Sequence, residues 1–166
     1  MPPKEKATSV KRQSGAVVDV TVPDAGEQNF HTDILTHIPS SIQILDSALR
    51  VTFANRNFLS KLRKQEGAVL GERISEVFPP VILSYTGLEE QIRDVYQTGR
   101  PFEGGEVEYR APGLTARIYF YSLAPLKDGN GRVARVMLFM DDVTEKKNLG
   151  DRARDAERHL ASVVES

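Results

Sequence analysis

The chain has no cysteine among its 166 residues. That absence excludes a disulfide framework, a cysteine-ligated zinc or iron–sulfur centre, and any cysteinyl adduct with a bound chromophore. Excess charge of one sign is also missing, since 22 basic residues stand against 23 acidic ones. No global field then draws the chain to nucleic acid or to an anionic membrane surface, and neither is expected as a partner of this domain. No apolar run approaches the ~20 residues of a membrane-spanning helix, and Met1–Lys6 lacks the apolar core of a secretion signal. The expectation is a cytoplasmic domain with no membrane insertion by this segment. Hydrophobic residues make up 40% of the chain, enough for one ordinary core.

What is present divides into a polar leader over 1–28, a folded domain over 29–143 and a charged helical tail over 144–166. The leader has no helical period; only Val18, Val20 and Val22 alternate, as a linker or a short strand added to a sheet edge. Phe30, Ile34, Leu35 and Ile38 recur at helical spacing until Pro39, which predicts an entrance helix. Ser41–Leu45 and Arg50–Ala54 alternate around the turn signal Asp46-Ser47, which predicts a hairpin. Asn55 is placed to cap a helix with Phe58, Leu59 and Leu62 on one stripe. Ile74, Val77 and Phe78 mark a second short helix that Pro79-Pro80 terminates. A third is expected from Leu88, Ile92 and Val95, with Thr86 and Glu89 as a capping box and Gly99 as the stop.

After Pro101 the period returns to two. Phe102–Tyr109, Thr115–Leu126 and Arg132–Asp141 read as strands, the last two joined by the turn Asp128-Gly129-Asn130-Gly131. Two strands, several short helices and three more strands predict an α+β fold: a five-stranded antiparallel sheet with the helices on one face. The last strand is apolar on both sides, so its outer face is expected to pack on the entrance helix or on a second chain. In the tail, Leu149, Ala153, Ala156, Leu160 and Val163 follow steps of four and three. That is the seam of a homodimeric coiled coil, or the apolar face of a lone helix packed on its own domain. Between sheet and tail, Asp142, Val143, Thr144 and Glu145 combine a strand end with a helix start. Asp142 or Thr144 is placed to accept the free N–H groups of the first turn, and Glu145 favours the positive end of the helix dipole.

In its hairpin Ile42–Asp46 to Arg50–Asn55, its Val69-Leu70-Gly71 step, its Ala124-Pro125-Leu126 and Asp128–Gly131 segments, and its terminal Asp142-Val143-Thr144-Glu145, the chain resembles a PAS domain, the sensory module of bacterial signalling proteins. The resemblance runs from about Phe30 to Lys147. It implies a curved sheet cupping helices around a small cavity, with output through the helix after Val143. It also implies an effector such as a histidine kinase of a two-component system, a nucleotide cyclase or a transcription regulator. Leu160–Ser166 resembles the opening of another such repeat, which makes this chain the expected N-terminal portion of a longer protein.

The pocket lining expected from inward positions is Ile44, Phe53, Phe58, Leu62, Ile92, Tyr119, Tyr121, Val136 and Leu138. Strand parity leaves open whether Ile118 and Phe120 face inward in place of the two tyrosines. A tyrosine hydroxyl or Arg117 is the polar anchor for a small apolar or aromatic ligand, and a filled, ligand-free core is the alternative. Haem is not expected: His31 and His37 share no helical face, and the segment from Leu88 to Gln97, where haem-binding members of the resembled family usually carry their histidine, has none. Flavin of the photochemical, cysteine-adduct type is excluded by composition. His159 reads as a solvated side chain, no metal site is expected, and no catalytic set can be placed from spacing. The functional expectation is a non-enzymatic sensor and dimerisation module, with a constitutive protein–protein interaction domain as the alternative.

Overall fold

The structure is a computed structural model, and it describes residues 33–164. The leader, the alternating valines at 18–22, Phe30 and His31 lie outside the described residues. The described chain opens on helical residues 33–37 (α1) and continues through β1 (Ser41–Leu45), β2 (Val51–Ala54), α2 (Arg56–Leu62), a 3-10 turn Glu66–Ala68, α3 (Ile74–Val77), α4 (Pro80–Thr86) and α5 (Leu88–Thr98). Three long strands follow, β3 (Phe102–Tyr109), β4 (Arg117–Lys127) and β5 (Val133–Asp142), and then α6 (Thr144–Val164). The five strands form one antiparallel sheet in the order β2-β1-β5-β4-β3.

Both tight turns are built by an aspartate that bonds its own backbone. Asp46 Oδ1 accepts from the N–H groups of Ala48 and Arg50, and Asp128 Oδ1 from those of Asn130 and Arg132. The free edge of β2 is closed off by the segment after the 3-10 turn, through Val51 N–H to Glu72 and Gly71 N–H to Val51. Asn55 does more than cap α2. Its Oδ1 accepts from Ile42 and Phe58 N–H, and its Nδ2 donates to the carbonyls of Leu35 and Ser40, so one buried amide ties α1, β1 and α2 together.

Two local expectations are corrected. Pro79-Pro80 ends α3 but also begins α4, because a proline at the first helical position gives up only an N–H that would be unbonded anyway. The Thr86–Glu89 capping box does not form. Gly87 sits between α4 and α5 at φ 64°, serving as the end of one and the start of the other, and Glu89 pairs with Arg93 instead.

The core lies between the helices and the inner face of the sheet. Leu45, Val51, Ile74, Ile92, Val136 and Leu138 are each almost fully removed from water, each worth ~1.5–3 kcal/mol relative to exposure. The β4–β5 register puts Tyr119, Tyr121 and Leu123 opposite Asp142, Met140 and Leu138 on this inner face, so Ile118 and Phe120 point outward. The β1–β5 register pairs Ser41, Gln43 and Leu45 with Met140, Leu138 and Val136. Ile44 and its β2 partner Phe53 are therefore on the outer face, contrary to the expected lining. Alternation gives a period but not a phase, and the apolar outer face makes the polar inward residue, Gln43, look like the exposed one.

Candidate functional site

One cavity, partly open to the surface, measures about 110 Å³ and is walled by Phe58 and Leu62 of α2, Phe78, Pro79, Ile82, Tyr109, Tyr119 and Met140, with Ser41 and Lys61 at its polar positions. Phe58 and Phe78 stack on each other with ring centroids 5.5 Å apart. Of the expected lining, Phe58, Leu62 and Tyr119 reach this space. Ile92, Tyr121, Val136 and Leu138 are inner-face core residues that pack solidly beside it. The residues that sequence reasoning missed, among them Lys61, Phe78, Ile82 and Met140, come from the helix ends and strand ends. There, spacing alone does not say which side chains converge.

A second cavity of about 200 Å³ adjoins the first, sharing Lys61, Tyr109 and Tyr119 with it and adding Ala111, Leu114, Thr115 and Arg117. Arg117 thus lines this second cavity and not the first. Lys61 is exposed by area, but its ammonium stands 5.6 Å from the centre of the Tyr119 ring. Burial against this wall pushes its pKa below the ordinary lysine value, with the charges of Asp142 and Asp141 acting the other way. The Tyr119 hydroxyl is pushed up, first by burial and then by Asp142. A larger concavity of about 510 Å³ between α4 and α5 is a surface groove lined largely by polar and charged side chains such as Ser84, Glu89, Glu90 and Arg93, and none of the expected site residues belongs to it.

Two buried amides behave oppositely. Every hydrogen-bonding position of Asn55 described above is used, whereas Gln43, fully buried on the inner face, finds no hydrogen-bond partner for either amide atom. Gln43 is the next inward position along β1 from the cavity-lining Ser41.

At the other end of Tyr119 is the joint. Asp142 Oδ1 accepts from the Thr144 N–H at 3.1 Å and from the Thr144 hydroxyl, while Oδ2 accepts from Arg117 at 2.9 Å. The Thr144 hydroxyl in turn accepts from Ile118 N–H at 2.9 Å, and Val143 N–H donates to the Ile118 carbonyl. So Asp142, and not Thr144, caps the helix; Thr144 fastens it to β4. Burial works to raise the Asp142 pKa, but the bonds from Thr144 and Arg117 outweigh it and hold the carboxyl below its ordinary value. Lys147 adds an ion pair to Glu106 of β3. Beyond this first turn α6 leaves the domain. It contains no buried residue, and Leu149, Leu160 and Val163 are 57%, 65% and 59% exposed, with Ala153 and Ala156 exposed as well. The expectation of a lone helix packed on its own domain is not met.

His37 Nδ1 donates to the Asp33 carbonyl on the exposed face of α1, and His159 is exposed. Among the described residues no group of three or more acidic, histidine or cysteine side chains is placed to hold a metal ion, and no helix is long and apolar enough to cross a membrane.

A family model described as the PAS fold matches residues 35–148. Among solved structures, the Vibrio cholerae VqmA dimer, described in the context of LuxR-type receptors, is similar at a TM-score of 0.61 and 16% identity, over 71% of this chain and 52% of that one. The PAS domain of a Colwellia psychrerythraea protein matches at 0.58 and 9% identity, over 72% of this chain and 98% of that one. The PAS domain of BvgS from Bordetella pertussis matches at 0.52 and 17%, over 80% and 98%. This chain therefore spans about half the length of the VqmA chain, and at these identities the likeness is one of fold.

Proposed function

The chain belongs to the PAS family, and from that premise we propose that it is a non-enzymatic sensor and dimerisation module whose output leaves through α6. The division that goes with this reading is a leader over 1–28, a sensor over 29–143 and a signalling helix over 144–166. The observation that carries it is the joint. Through the Thr144 bonds of Asp142 and Ile118, a 21-residue helix with no buried side chain is fastened to the sheet at its first turn. Such a helix needs a partner, and the steps Leu149, Ala153, Ala156 and Leu160 fit a second copy of itself. The small alanines favour an adjustable contact over a permanent clamp. A difference of ~1–3 kcal/mol between two arrangements of that contact is enough for useful coupling to an effector. The effector class follows the same reading, a kinase, cyclase or transcription regulator beyond α6, in a cytoplasmic protein.

Sedimentation equilibrium tests the seam. The chain is expected to dimerise, and Leu149→Ala with Leu160→Ala to shift it toward monomer; an unchanged mass distribution rejects the seam. A second reading, a constitutive interaction domain, is favoured by the apolar outer face, where Ile44, Phe53, Met137 and Phe139 are only half-buried. Native mass spectrometry separates the two, since a stoichiometric co-purifying small molecule supports sensing and a clean apo mass supports docking.

A further inference from the structure

Building on the sensor reading, we propose that the two adjoining cavities form one site for a small monocyclic carboxylate, its ring in the smaller, apolar cavity and its carboxylate at Lys61 and Arg117, and that occupancy weakens the hold of Arg117 on Asp142. Size and shape set the ring. The first cavity, about 110 Å³ and partly open to the surface, is smaller than the ~150 Å³ dry cavity that takes up benzene, so a single ring is the most it can take and two fused rings exceed it. The rings of Phe58 and Phe78 wall it, together with Leu62, Ile82 and Met140.

Charge sets the head group. The second cavity is lined by two cations, Lys61 and Arg117, and by no carboxylate. Arg117 spends one nitrogen on Asp142 and keeps the rest of its guanidinium fork toward water, its side chain 56% exposed. A ligand carboxylate between an ammonium and a guanidinium makes charge-assisted bonds, about twice as strong as neutral ones. Asp142 already holds Arg117 at 2.9 Å, so the ligand enters as a competitor of Asp142. What it takes from Asp142 is the Arg117 contact of the same carboxylate that caps α6. Recognition and release therefore meet on one side chain.

The probe is benzoate, titrated calorimetrically into the full chain beside benzyl alcohol, acetate and 2-naphthoate. Saturable binding of benzoate alone is expected, with Lys61→Met weakening it about tenfold or more and Arg117→Gln in the same direction. Lys61 is exposed and Arg117 lies in a surface ion pair, so both variants are expected to keep the domain folded, with Arg117→Gln loosening only its contact with Asp142. Equal binding of benzyl alcohol would mark a neutral apolar pocket, equal binding of acetate a bare cation pair, equal binding of naphthoate a different shape; each overturns the proposal, as does no saturable heat up to about 10 mM. Hydrogen exchange at the Thr144 and Lys147 amides should quicken on saturation, and unchanged exchange rejects the link to α6. The sedimentation test of the sensor reading needs no ligand. Benzoate failing to bind while the seam variants still split the dimer condemns this ligand class alone.

Discussion

Tyr119 and Asp142 stand directly opposite each other on β4 and β5, so a wall of the cavity and the cap of the outgoing helix are one cross-strand pair. Lys61 lies over the Tyr119 ring, and Arg117, two residues along β4, holds the Asp142 carboxylate. A change in the cavity has therefore no more than one residue pair to cross before it meets the start of α6. The coupling requires no long chain of contacts, only two arrangements of this corner.

The joint makes a pH-dependent contribution whose sign follows from the lowered carboxyl. A group whose folded pKa is depressed stabilises the fold above its unfolded value, near 3.8 for this residue type, and loses that contribution as pH falls through the folded value. Asp142→Asn removes the titration and keeps an acceptor for Thr144. Below about pH 4 the unfolding free energy of the wild type should fall more steeply than that of Asp142→Asn, and at neutral pH Asp142→Ala should cost ~0.5–2 kcal/mol, the loss of a cap. Parallel acid limbs in urea titrations would detach Asp142 from the stability of the joint.

Asn55 is expected to be the costliest polar residue to remove. Asn55→Ala leaves the N–H groups of Ile42 and Phe58 and the carbonyls of Leu35 and Ser40 without their partner, in a position 1% exposed. Each buried group so orphaned costs ~1–3 kcal/mol, and the sum is less than additive because α1 can shift to let water in. A total of ~3 kcal/mol or more is expected from denaturant unfolding. A loss under ~1 kcal/mol would mean that water replaces the amide freely.

Much of this corner was legible in the sequence because its signals are local. Asp46 and the Asp128 turn act on backbone within a few residues, as do the Asn55 bond to Phe58 and the Asp142 bond to Thr144, and strand period two is visible in β3, β4 and β5. What was not legible depends on registers between distant strands. Ile44 and Phe53 alternate faithfully but face outward, because β1 presents Gln43 to the core. The cavity residues Phe78, Ile82 and Tyr109 come from three separate elements, and only tertiary packing brings them to Phe58.

Gly105 illustrates the same limit and yields a sharp test. A Cβ built on it would lie 2.2 Å from Cζ of Tyr121, its partner across β3 and β4. The tyrosine ring lies over that glycine, stacks on Phe102 at 5.7 Å and bonds Gln91 through its hydroxyl at 3.1 Å. Gly105→Ala must displace the ring, at ~1–3 kcal/mol for overpacking. In a Tyr121→Ala background the same substitution should cost little, so the double-mutant cycle is expected to show a coupling of ~1 kcal/mol or more. Additive effects would show that the ring yields without loss.

Gln43 is predicted to carry a cost in the free protein. Its side chain is fully buried, sits between Leu138 and Ala54 across the sheet, and has no protein hydrogen-bond partner for either amide atom. A buried amide so placed forfeits its hydration without return, at ~1–3 kcal/mol. Gln43→Met keeps the unbranched shape and nearly the volume while removing the polar atoms, and such volume-conserving swaps are well tolerated. The variant should therefore unfold at higher urea with an unchanged slope, a gain in stability where most core substitutions lose it. Destabilisation by Gln43→Met would mean that the amide has partners in solution. A second titration, with the small molecule that co-purifies or binds, would then tell whether those partners belong to a ligand: a ligand that stabilises the wild type and not Gln43→Met bonds to that amide.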